Sequence, residues 1–209
     1  MSASFKNLIH RAVRGNVSRG LVAAAAVVVL PLAALAAGTG DYTPDSMDHG
    51  DHHSSSHSPL VKKVHDANLR FTNINVALSD PTWDARTTCV SGPETGAMGV
   101  HLVNFGRTKD GIIDPEAPEA LIYEPLPNGY MRLVGVEFIQ DAADWAARNP
   151  KSPPPSLDGQ LMNLVGAPNR FGLDPFYELH VWAFEDNPLG AFADWNTHVT
   201  CEKQRLVVN

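Results

Sequence analysis

Glu178 and His180 stand two residues apart in "FYELHVWAF" (176–184), and His101 stands in "GVHLVNF" (99–105). Both runs are rich in β-branched, aromatic and aliphatic residues, the composition of strands. Along a strand, residues i and i+2 face the same way. Glu178, His180 and Trp182 therefore share one side, opposite Leu179 and Val181, and His101 and Val103 oppose Val100 and Leu102. In "VGVEFI" Glu137 opposes Val136 and Phe138, and Glu124 closes "LIYEP". Each strand thus carries a His or a carboxylate inside an otherwise apolar run. If these polar faces converge, His101, Glu124, Glu137, Glu178 and His180 line one concave pocket beside Trp182.

Two neutral imidazoles and a carboxylate suit a divalent transition metal, because imidazole supplies borderline nitrogen donors and the carboxylate supplies negative charge. A further carboxylate can orient a ligand histidine through its free N–H. The expected ligands are His101, His180, Glu137 and Glu178, with copper or zinc as the ion. The bland alternative is that each strand histidine is hydrogen-bonded inside the core and each strand-end Glu is solvated. Convergence in space separates the two.

A second group lies earlier, in "MDHGDHHSSSH" (47–57). Met47, His49, His52, His53 and His57 offer a thioether and four imidazoles on a chain that can wrap an ion without a preformed fold. Its expected role is secondary metal capture. As a plain solvated linker it would do nothing of the kind.

Two other functions use the same strand residues. A metal with an open coordination position could activate water or oxygen, or a Glu–His pair could perform acid–base work. Alternatively, Trp182, Trp195, Phe184 and Phe192 could wall a pocket for a small apolar ligand. The chain has no G-x-S-x-G, no H-E-x-x-H and no phosphate-binding loop. His198 near the C-terminus is a further candidate ligand, and His65, beside Asp66, reads as an exposed helix residue.

The elements that must position these residues follow from the rest of the pattern. Residues 1–36 read as a signal peptide. Lys6, Arg11, Arg14 and Arg19 precede an apolar stretch that Pro31 interrupts, and Ala34-Leu35-Ala36 offers a cleavage site. Residues 37–59 are poor in aliphatic residues and rich in Asp, Ser, His and Gly, a composition that cannot bury a core. Residues 60–209 then form a single domain. Removing residues 1–36 leaves 12 basic against 23 acidic residues, a net charge of −11. That balance argues against nucleic acid or an anionic membrane as partner, leaving a metal ion or small molecule. The expected location is periplasmic or secreted. Cys89 and Cys201 are the only two cysteines. An even count in an exported chain reads as one disulfide.

Within the domain, Val61, Val64, Phe71, Ile74 and Leu78 recur at helical spacing, predicting one helix over 60–78 between Ser58-Pro59 and Asp80-Pro81. Strands are predicted at 99–105, 119–125, 130–139 and 176–184, with a weaker fifth in "QRLVVN" (204–209). Pro127-Asn128-Gly129 marks a hairpin. "DAADWAARN" (141–149) predicts a short helix capped by Asp141, followed by an extended loop in "KSPPPSLDG". The fold class is α+β: a curved antiparallel sheet, covered by the N-terminal helix and closed by one disulfide.

The segments "GAMGVHLVNFG", "EALIYEP", "MRLVGVEF" and "YELHVWAFEDNPLGAFADWN", with Cys201, resemble a family of uncharacterised exported bacterial proteins over about residues 61–202. The resemblance implies one exported domain and a special role for His101 and His180. It implies no activity.

Overall fold

Helix α1 (Pro59–Asn68) begins the computed structural model, which describes residues 58–92 and 94–204. The signal segment, Met47, His49, His52, His53, His57 and residues 205–209 lie outside the described residues. Pro59 suits the first turn of α1, where its missing N–H costs nothing. Leu60, Val61 and Val64 form the buried stripe. Each aliphatic side chain buried this way contributes about 1.5–3 kcal/mol.

The single helix expected over 60–78 is broken twice. At Asn68 the α-helix gives way to a tight 3-10 turn (Leu69–Thr72), and the buried Asn68 side chain donates to the Val64 carbonyl at 2.9 Å. Asn73 is extended, and its side-chain oxygen accepts from the Asn75 amide at 3.1 Å to start α2 (Ile74–Leu78). Asparagine competes in this way for backbone partners and punctuates helices. The break buries Phe71 and Ala77 and leaves Leu78 exposed, not in the core.

The sheet is antiparallel throughout. Its strands are β1 (Ala85–Arg86), β2 (Val90–Gly92), β3 (Gly96–Val103), β4 (Ala120–Pro125), β5 (Met131–Asp141), β8 (Asn163–Val165) and β9 (Phe176–Val181). The order is β1-β3-β4-β5-β9-β8, with β2 also on β3. The α+β class and the sheet-covering helix are as expected, and so is the Cys89–Cys201 disulfide, which spans 112 residues. The Pro127-Asn128-Gly129 turn joins β4 to β5, with Asn128 and Gly129 at φ 65° and 82°. These are left-handed values that Asn and Gly tolerate best. Asp141 caps α3 (Ala142–Arg148) by accepting from the Asp144 amide at 2.9 Å.

Two strands arise inside the expected loop. β6 (Ser156–Leu157) pairs with β7 (Gln160–Leu161) across Asp158-Gly159, both at positive φ. Asp-Gly is a strong two-residue hairpin signal, which the preceding prolines obscured. The last long strand stops at Val181, short of 184, because the Trp182 amide turns to the Ala191 carbonyl.

The sheet separates two apolar layers. On one face Leu102, Leu121, Val136, Phe138, Leu179 and Val181 pack with α1 and Phe71. Tyr123 pins this layer by donating its hydroxyl to the Phe71 carbonyl at 2.8 Å. On the other face, Ala97, Ile122, Val134, Trp182 and Val199 form a smaller layer that Cys201 packs against. Among the described residues no helix is long and apolar enough to cross a membrane.

Candidate metal centre

Glu137 on β5 and His180 on β9 are direct cross-strand partners, on the face opposite the α1 layer. His101 reaches them from β3, although β4 runs between β3 and β5. Strands two places apart in a sheet are separated by roughly 9–10 Å, and the β4 residue opposite His101 is Ile122, so the contact runs diagonally across β4. The β4 residue opposite Glu137 is Ala120, fully buried. Across this methyl-sized gap His101 Nε2 approaches Glu137 Oε2 at 3.4 Å. The His101 and His180 rings meet edge to face, 5.8 Å between centroids. One ligand atom each from His101, Glu137 and His180 lie within 4.8 Å of one another. The same holds for Glu178, His180 and Asp194.

His180 is 1% exposed, and neither Nδ1 nor Nε2 has a hydrogen-bond partner among the described residues. A buried polar atom left in this state costs about 1–3 kcal/mol. Burial lowers the His101 pKa to about 4 and that of His180 to about 3, the latter helped by the neighbouring His101 charge. Both imidazoles are thereby held neutral, the form that ligates metals. Burial also raises Glu178 to about 7 and Glu137 well above the usual carboxylate range. The negative charge of Glu178 adds to the effect on Glu137, and the two side chains share a hydrogen bond. Two adjoining buried carboxylates cannot both ionise without a cation between them. Among the described residues no Lys or Arg forms an ion pair with either. The cluster therefore combines neutral nitrogen donors with carboxylates that lack a protein cation. These residues fit a divalent transition ion: it would satisfy the nitrogens and offset the carboxylates together.

Glu124 is occupied elsewhere. Its Oε2 accepts from Arg132 Nη2 at 2.6 Å and Nε at 3.2 Å, and its Oε1 accepts from the Thr200 amide at 3.0 Å. It does not join either group of ligand atoms. Trp182 stacks on His180 with centroids 6.0 Å apart and donates its indole N–H to the Ala193 carbonyl at 2.6 Å. Gly135 lies beneath it, where an added Cβ would come within 2.8 Å of the Val181 carbonyl oxygen. Trp182 is thus a fully packed wall. Of the remaining histidines, His198 bonds the Asp186 carbonyl and His65 packs on Phe184 while bonding Asp66.

Two carboxylates escaped the sequence pattern. Asp194 lies in the segment after β9, where strand alternation has no power to assign a face. Glu119 precedes β4, is buried, and accepts from the Ile139 amide at 2.9 Å. Burial raises its pKa to about 8. The open cleft near Cys201 is lined by groups such as Ser91, Glu94, Thr197, Thr200 and Glu202 and by none of the aromatic residues expected to hold an apolar ligand.

No protein-family model, curated protein or solved structure matches this chain.

Proposed function

We propose that the protein binds copper or zinc in an extracytoplasmic compartment, periplasmic or secreted, using His101, His180, Glu137 and Glu178. The observation that carries this is His180: a fully buried imidazole, both nitrogens without a partner among the described residues, beside a second histidine and two adjoining buried carboxylates. A structural histidine would have recruited a carbonyl or hydroxyl, as buried polar groups generally do. The disulfide and the signal-like N-terminus support the oxidising location. Met47, His49, His52, His53 and His57 would gather ions for the folded site.

Elemental analysis of the purified chain tests this. Stoichiometric copper or zinc is expected in the wild type after loading and dialysis, and its loss in a His101→Ala/His180→Ala variant that keeps its far-UV circular dichroism. A wild-type chain without tightly held metal would end the proposal.

A further inference from the structure

Resting on that metal assignment, we infer that the cluster holds two ions and that the His180 ring is shared between them, one nitrogen to each. The inner ion would lie on His101, Glu137 and His180, the outer one on Glu178, His180 and Asp194. Three observations carry this.

The first is that two separate sets of ligand atoms each lie within 4.8 Å, with His180 common to both. The second concerns the ring itself. A histidine that binds one metal almost always gives its other N–H to a carboxylate, carbonyl or water that fixes its tautomer. Among the described residues His180 has no such partner at either nitrogen. A ring with two free nitrogens on opposite edges is equipped to ligate twice. The third is charge. Glu137, Glu178 and Asp194, with a His180 imidazolate, offset two divalent cations in full, so the filled cluster would be neutral in a buried setting. Formation of the shared site releases the remaining ring N–H proton of His180, and the proton shared by Glu137 and Glu178, to solvent.

The two positions differ in access. His101, Glu137 and His180 are all buried, whereas Asp194 is half-exposed and its Oδ1 accepts from Nδ2 of the exposed Asn163 at 3.3 Å. The outer ion therefore faces solvent and can keep a water or take a small anionic ligand. The inner ion is closed off.

The test uses the full chain with His49, His52, His53 and His57 changed to Ala, loaded with Cu(II) alone or with Cu(II) and Zn(II) together. Two ions per chain are expected. The all-copper form should show an electron paramagnetic resonance signal well below its copper content, because ions bridged by an imidazolate couple magnetically. Zinc in one position should restore the uncoupled signal. Asp194→Asn and, independently, Glu178→Gln should each reduce the content to one ion per chain. One ion per chain in the parent would overturn the pair while leaving the metal assignment intact, and none at all would overturn both. Two ions with the full uncoupled signal would overturn the sharing of His180. Two ions retained in both Asp194→Asn and Glu178→Gln would remove the outer site.

Discussion

Glu124 and His180 lie toward opposite ends of the same sheet face and are about equally buried, yet the fold treats them differently. At the Glu124 end every charge is answered: the Arg132 guanidinium grips one carboxylate oxygen, the Thr200 amide donates to the other, and Val199 and Cys201 seal the layer. At the His180 end, among the described residues, neither His180 nitrogen has a partner, and Glu137 and Glu178 adjoin each other and His101 with no Lys or Arg beside them. Burial of polar groups is tolerated when partners come with it and costs free energy when they do not. The unanswered end is therefore where an outside ligand would bring stability, and the answered end is architecture.

The comparison can be broken most severely at Ala120. Ala120→Leu places a branched side chain in the gap that His101 crosses to reach Glu137. It should abolish tight metal binding and cost about 1–3 kcal/mol through overpacking, read as metal content and urea midpoint. Retained metal would show that β4 does not set the spacing.

A contrast of two substitutions sharpens it. Glu124→Ala strands the Thr200 amide and leaves Arg132 paired only with Glu185, so it should cost about 1–3 kcal/mol with metal content unchanged. His180→Leu removes two unpartnered nitrogens at similar volume, so the metal-free protein should be no less stable, while metal is lost. Equal destabilisation by both in metal-free protein would erase the distinction between the two ends.

A smaller effect appears with pH. Glu119 has its folded pKa raised to about 8 from 4.5, so the stability it contributes is complete below 4.5 and is lost as pH rises through about 8. His101 and His180 have folded values lowered from 6.5 to about 4 and 3, so their contribution is complete above 6.5 and is lost on acidification. Between pH 6.5 and 8 the carboxylates therefore govern, and metal-free protein should lose up to about 1.4 kcal/mol per pH unit for each such group. Glu119→Gln removes one of them, and its melting temperature should gain on that of wild type steadily from pH 6.5 to 8. Parallel curves would refute the raised value.

The smallest change is expected from deleting residues 38–58. A segment of that composition contributes almost no burial. The melting temperature should stay within error while weakly held copper and zinc decline, and loss of the tightest ion would move the site to the leader.

Much of the centre was legible because strand alternation is a rigid rule. It assigned His101, Glu137 and His180 to the face opposite Val136, Leu179 and Val181 without knowledge of strand order. What it could not supply was lateral position. Glu124 obeys the same alternation, and only the register shows that it meets Arg132 and Thr200. Nothing local in the sequence singles out Ala120, because only the register shows that it lies opposite Glu137. Asp194 follows the end of β9, where no period applies. The helix breaks at Asn68 and Asn73 were foreshadowed by weak propensity, yet their positions depend on side-chain bonds to backbone that the apolar spacing does not encode.

The one-backbone thickness of the sheet has a further consequence. The ligand-bearing strands are spaced by main-chain hydrogen bonds, whose lengths are the same whatever aliphatic residues pack behind them. Leu102, Leu121, Val136 and Val181 can thus be exchanged among Leu, Ile and Val, provided total volume is kept, without moving His101, Glu137 and His180 relative to one another. The backbone acts as a partition. The α1 layer can change within its volume and answer to folding alone, while His101, Glu137 and His180 on the other face would also answer to a bound ion.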